Sequence, residues 1–114
     1  MTLTKIQAAR WIGRAAAAGH TDAEVEYGIL LFKGHGVPPN EVRGVYYFKT
    51  AAEKGNPVAQ NRLARIYVLG RGVEADPVEA AKWHMLATEA GRPDSELDSL
   101  VKGLSDEQRE AARA

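Results

Sequence analysis

Gly34-His35-Gly36-Val37 returns 36 residues later as Gly70-Arg71-Gly72-Val73, and the residues around the two copies return with it. The same shift superposes Ala23 on Ala59, Tyr27 on Leu63, Gly28 on Ala64, Leu31 on Tyr67, Asn40 on Asp76, Tyr47 on Trp83, Ala51 on Ala87 and Gly55 on Gly91. A fixed period of about 20 to 50 residues marks a stack of supersecondary units, none of which buries its apolar face alone. The chain is therefore a repeat protein, and the repeat decides its fold class.

The segments between the glycine motifs read as helices. Thr4 to Ala18 has Ile6, Trp11, Ile12, Ala15 and Ala16 near one face, with Thr4 and Gln7 spaced as a capping box and Gly19 as the stop. Thr21 and Glu24 have the same spacing, and the helix they open runs to Lys33, where Gly34 ends it. The loop to Pro39 cannot be helical, because two glycines admit positive φ and Pro38-Pro39 removes two donors. Asn40, Asn56-Pro57 and Asp76-Pro77 each open a further helix, ending near Lys54, Leu69 and Gly91. Thr4, Asn40 and Asp76 stand at 36-residue spacing, as do Ile6, Val42 and Val78, then Trp11, Tyr47 and Trp83. The organisation is thus a half repeat at 4–20, full repeats at 21–55 and 56–91, and two short terminal helices at 92–114 acting as a polar cap.

Composition narrows the function. Charged residues make up 26% of the 114 and cancel formally, which favours neither a nucleic-acid footprint nor a disordered tail. The balance is uneven along the chain. Residues 1–20 carry Lys5, Arg10 and Arg14 with no acid, whereas residues 92–114 carry four basic and six acidic side chains. Cysteine is absent, so no thiolate metal site or disulfide framework is available. With no secretory leader pattern and no apolar run of about 18 residues, the expected location is cytoplasmic, and a periplasmic one remains compatible.

These residues resemble the Sel1-like repeat, a branch of the tetratricopeptide-like α/α superhelices. Residues 59–91 carry its pattern nearly throughout: a small residue, Leu63-Ala64, Tyr67, Gly70-Arg71-Gly72-Val73, Asp76, Trp83, Ala87 and Gly91. Residues 23–55 carry it with Tyr27, Asn40 and Tyr47 at the leucine, aspartate and tryptophan positions, and residues 4–19 match its second half. The resemblance implies an all-α, right-handed superhelix of antiparallel helix pairs, about seven helices in all. It also suggests a bacterial source and a protein–protein interaction role.

Catalytic chemistry finds no support. His20 and His35 fall in turns, and His84 has no ligating residue at i+3 or i+4, so all three read as surface or turn residues. Ser105 reads as an N-cap, and Asp94, Glu96 and Asp98 as a solvated face. The glycine motif follows a helix and lacks the Lys-Ser/Thr of a phosphate-binding loop. No metal or cofactor is expected. By the resemblance, the face of the first helix of each repeat that packing does not use lines a concave groove. It comprises Val25, Ile29, Phe32 and Lys33, with Asn61, Arg65, Val68 and Leu69 at the corresponding positions of the next repeat. An apolar strip beside Lys33 and Arg65 suits a peptide with apolar anchors and a carboxylate. An alternative is that the half repeat or the terminal helices cover this strip. The expected function is a non-catalytic adaptor binding a protein or peptide, not nucleic acid or membrane. A homo-oligomer built through the open N-terminal end is the alternative, and a hydrolase ranks last.

Overall fold

A computed structural model of the chain describes residues 4–114. Among them are seven helices: α1 (Lys5–Ala17), α2 (Thr21–Lys33), α3 (Glu41–Glu53), α4 (Pro57–Leu69), α5 (Pro77–Glu89), α6 (Ser95–Lys102) and α7 (Asp106–Arg113). They stack into a rod of 54 × 23 × 21 Å. The helices flanking each Gly-x-Gly-Val loop, α2 with α3 and α4 with α5, pack most extensively, and α1 lies against α2 as the half repeat.

Local sequence explains the helix ends. Thr4 and Ser105 both form complete capping boxes, with Gln7 and Gln108 respectively. Asn40, Asn56, Asp76 and Asp94 each accept a backbone N–H of the first turn. The expected box at Thr21 does not form. Thr21 is the first helical residue and His20 takes the cap position without a side-chain bond. Glu24 is instead buried, and Lys54 at the end of α3 donates to its carboxylate at 2.9 Å and to the Gly19 carbonyl at 2.8 Å. A buried carboxylate needs a charged partner more than a solvated N–H needs a cap.

The two glycines of each motif do different work. Gly34 and Gly70 end α2 and α4 in the left-handed conformation. Gly36 and Gly72, at φ 75° and 73°, turn their loops onto the first turns of α1 and α3 respectively, each the last helix of the preceding repeat. A Cβ at Gly36 would lie 2.3 Å from the Lys5 carbonyl oxygen, and one at Gly72 would lie 2.7 Å from that of Glu41. The motif is therefore the contact between repeats as well as the turn within one.

The core runs along the rod as a line of alanines, Ala51, Ala52, Ala59, Ala64, Ala80, Ala81 and Ala87, filled out by Leu31, Phe48 and Leu63. In the first repeat two glycines take two phenyl rings: a Cβ on Gly28 would lie 2.9 Å from the Phe48 ring, and one on Gly44 would lie 2.5 Å from that of Phe32. One register later the same positions hold Ala64 with His84 and Ala80 with Val68. A larger small residue is matched by a smaller large one, as a close-packed interior requires.

The aromatic column does not behave uniformly. Trp83 is 5% exposed and Tyr47 packs edge-on against Tyr27 at 5.2 Å between ring centres, but Trp11 is 61% exposed, and Ile6 and Val42 also face solvent. The apolar face expected for the first helix is thus only partly used. Ala9 and Ala16 are buried, Ala9 beside Gly36 of the loop after α2, while no residue equivalent to Tyr27 lies on Trp11 among the described residues.

Candidate functional site

The residues singled out from sequence separate into three groups. Val25 is not on the open face: it is 8% exposed and belongs to the same apolar cluster as Val45 and Phe48. A helix in the middle of a stack is covered on two sides, so its buried arc is wider than one apolar stripe, and Val25 falls inside it.

Ile29, Phe32, Lys33, Arg65 and Leu69 do come together, in a cleft of about 320 Å³ between α2 and α4. Phe48 and Ile66 contribute to its lining, and Arg62 and Arg71 join Lys33 and Arg65 as cations around it. Arg62 and Arg71 had no signal in the sequence. Arg71 sits at the variable position of the glycine motif, and Arg62 stands where the previous repeat has Glu26. The loop carries Arg71 over the Phe32 ring, 5.1 Å from its centre, while its Nε donates to Glu41 at 2.7 Å. Phe32 also packs on Phe48, with ring centres 5.6 Å apart. Lys33 and Arg62 make no ion pair among the described residues, and no acidic side chain lines this cleft.

Val68 lines a second cleft, of about 190 Å³, between α4 and α6, together with Arg65, Leu69, Glu96, Leu97 and Leu100. The two clefts share Arg65 and Leu69. An apolar strip therefore crosses three helices, from Ile29 and Phe32 through Leu69 and Val68 to Leu100. Leu69 is 67% exposed at its middle.

Asn61 and Arg65 have a structural task that the sequence did not reveal. Asn61 donates to Asp94 at 2.9 Å, and Arg65 donates to the same carboxylate through Nε at 2.8 Å and approaches it through a second nitrogen at 2.6 Å. Arg65 also reaches Glu96 at 3.7 Å. Asp94 is the N-cap of α6, so this cluster pins the terminal helices to α4; it is not the solvated face expected. Burial by itself would raise the Asp94 carboxyl. The hydrogen bonds from Asn61, Arg65 and the Leu97 N–H, with the Arg65 charge, outweigh it and hold the group below its usual value. A depressed folded-state value means that the pair's stabilisation is complete above the unfolded value of about 3.9 and is lost as pH falls through the folded one. Asp94→Asn should therefore melt below the wild type at neutral pH, with the gap narrowing below about pH 4. Thermal melts of both proteins across that range check it, and a gap that stays constant with pH would remove the assignment.

His84 is likewise not a surface residue. It is 3% exposed, and its Nε2 lies 2.5 Å from Asp98 of α6. The pairing spans 14 residues and two helices, which no i+3 or i+4 rule detects. Among the described residues no three His, Cys, Asp or Glu side chains gather as a metal site, and no helix is long and apolar enough to cross a membrane.

A family model described as "Sel1 repeat" matches residues 5–20, 21–56 and 57–91. Among solved structures, the protective antigen c5321 of uropathogenic Escherichia coli strains, which displays an SLR fold, is 31% identical over 95% of this chain, with a TM-score of 0.82. A Sel1 repeat protein from Oxalobacter formigenes is 25% identical over 93% of the chain, with a TM-score of 0.80. The chain spans 24% and 43% of the lengths of those two proteins.

Proposed function

The chain belongs to the Sel1 repeat family, whose members generally act as protein–protein interaction modules on a fold that is typically non-enzymatic, and from there we propose that it is an adaptor binding through the strip across α2, α4 and α6. The partner segment carries apolar anchors for Phe32, Leu69 and Leu100 and acidic residues for Lys33 and Arg62. The observation that supports this is Leu69, two-thirds exposed where the two clefts meet. A large aliphatic side chain held in the open on a rigid helix costs no ordering on the adaptor's side when a partner covers it.

The roles within the strip differ. Phe32 fills the space left by Gly44, so its truncation disturbs the fold as well as the surface. Leu69 and Arg62 are cleaner probes. With a partner captured from the native cell and identified, Leu69→Glu should weaken binding roughly 30-fold, as central apolar anchors commonly contribute about 2 kcal/mol. Arg62→Glu should chiefly slow association and weaken its salt dependence. Lys49→Ala, on α3, serves as the control. Binding that Leu69→Glu leaves intact, or that Lys49→Ala weakens as much, would place the partner elsewhere.

A further inference from the structure

We propose that copies of this chain associate head to tail, the exposed face of α1 in one copy docking on the C-terminal end of the next. The head is apolar and basic. Trp11 and Ile6 are 61% and 57% exposed, and Lys5, Arg10 and Arg14 beside them make no ion pair among the described residues. Arg14 instead lies over the Trp11 ring at 5.4 Å, a cation held against an aromatic face. At the same register Tyr47 is covered by Tyr27 and Trp83 is buried, so the repeat itself specifies a helix-sized apolar cover at this position.

The tail has the complementary character. An open cleft of about 630 Å³ lies between α5, α6 and α7; Met85, Leu86 and Val101 are among its apolar lining, and its polar lining is mixed, Glu89 and Asp98 with Lys82 and Arg113, so the acidic surplus lies beside it on α7. It adjoins at Arg113 the outer face of α7, where Asp106, Glu107 and Glu110 are exposed. Asp106 is paired within α7 to Arg109, and Glu107 and Glu110 have no ion pair among the described residues. Residues 4–20 carry three cations and no acid, whereas residues 92–114 carry six acids against four cations.

Charge selects the geometry. A two-fold dimer through α1 would set Arg10 and Arg14 of one copy against the same cations of the other, and like charges in contact oppose association. A head-to-tail contact sets them against Glu107 and Glu110. Such a contact is heterologous, so it does not close at two copies and propagates.

The test uses one head variant, Trp11→Glu, and one tail variant, Glu107→Lys with Glu110→Lys. All three positions are exposed, so each variant should stay folded; the head variant should melt with the wild type, and the tail variant should lose no more than the ~0.3–1 kcal/mol that Glu107 contributes in the first turn of α7. By sedimentation, the wild type should grow beyond dimer as concentration rises at low salt and dissociate at about 1 M salt, where screening acts within about 3 Å. Its tryptophan emission should shift to the blue with concentration, because only Trp11 has exposure to lose. Each variant alone should be monomeric where the wild type assembles. Mixed together, they should give 1:1 dimers and nothing longer, since each supplies one intact end. Arg10→Glu with Arg14→Glu, used as a second head variant, should reproduce the result. A wild type that stays monomeric at all concentrations overturns the proposal. So does a tail variant that still dimerises alone, or a mixture that stays monomeric.

Discussion

Gly72→Val should lower the melting temperature by about 10 °C. Two costs add. At φ 73° a Cβ meets the following carbonyl of its own chain, at roughly 1–2 kcal/mol. In addition the new side chain would enter the first turn of α3, where the Glu41 carbonyl oxygen lies 2.7 Å from the Cβ position and a Val45 methyl 3.0 Å away. Overpacking of that kind costs a further ~1–3 kcal/mol. The sum, about 3 kcal/mol, converts at ~3–5 °C per kcal/mol for a domain of this size. Gly55→Val is the matched control, because Gly55 has φ 94° and nothing within 4 Å of its Cβ position. It should lose only the conformational part. Equal losses at the two sites would mean that the loop does not touch α3, and no loss at Gly72 would refute its left-handed backbone.

The second expectation is a reversal of sign. Gly44→Ala should destabilise the wild type, because the added methyl would lie 2.5 Å from the Phe32 ring, which Phe48 and Arg71 hold in place. In a Phe32→Val background the same substitution should stabilise by ~0.5–1 kcal/mol, the ordinary gain of alanine over glycine inside a helix. The second repeat already has this combination, Ala80 with Val68. A double-mutant cycle by chemical denaturation should return a coupling of about 1–3 kcal/mol, typical of residues in direct contact. Additive effects would separate Gly44 from Phe32 and remove the account of how α2 and α3 interlock.

Legibility depended on the range of the interaction. Helix ends set by neighbouring residues were readable: Thr4 with Gln7, and Asn40, Asn56, Asp76 and Ser105 as caps, all form as expected. Thr21 failed because Glu24 answers to Lys54, a residue 30 positions away. The candidate strip was partly legible for the same reason. Ile29, Phe32 and Leu69 could be placed by helical periodicity, since their faces follow from the turn angle alone. Val25 could not, because its burial depends on which neighbours cover α2.

By itself, then, the amino-acid sequence determined the repeat, its 36-residue period, the all-helical class and the family, because these rest on local spacings that recur. Only the tertiary structure decided what the spacings are for. It put the second motif glycine against the last helix of the preceding repeat, turned Asn61, Arg65 and Asp94 into the clamp on α6, and buried His84 against Asp98. It also brought Arg62 and Arg71 to the cleft and left Trp11 uncovered where Trp83 is buried. The physical reason is that the repeat specifies each helix pair alike, whereas burial and pairing depend on the neighbours, and the neighbours differ between the ends and the middle of a stack.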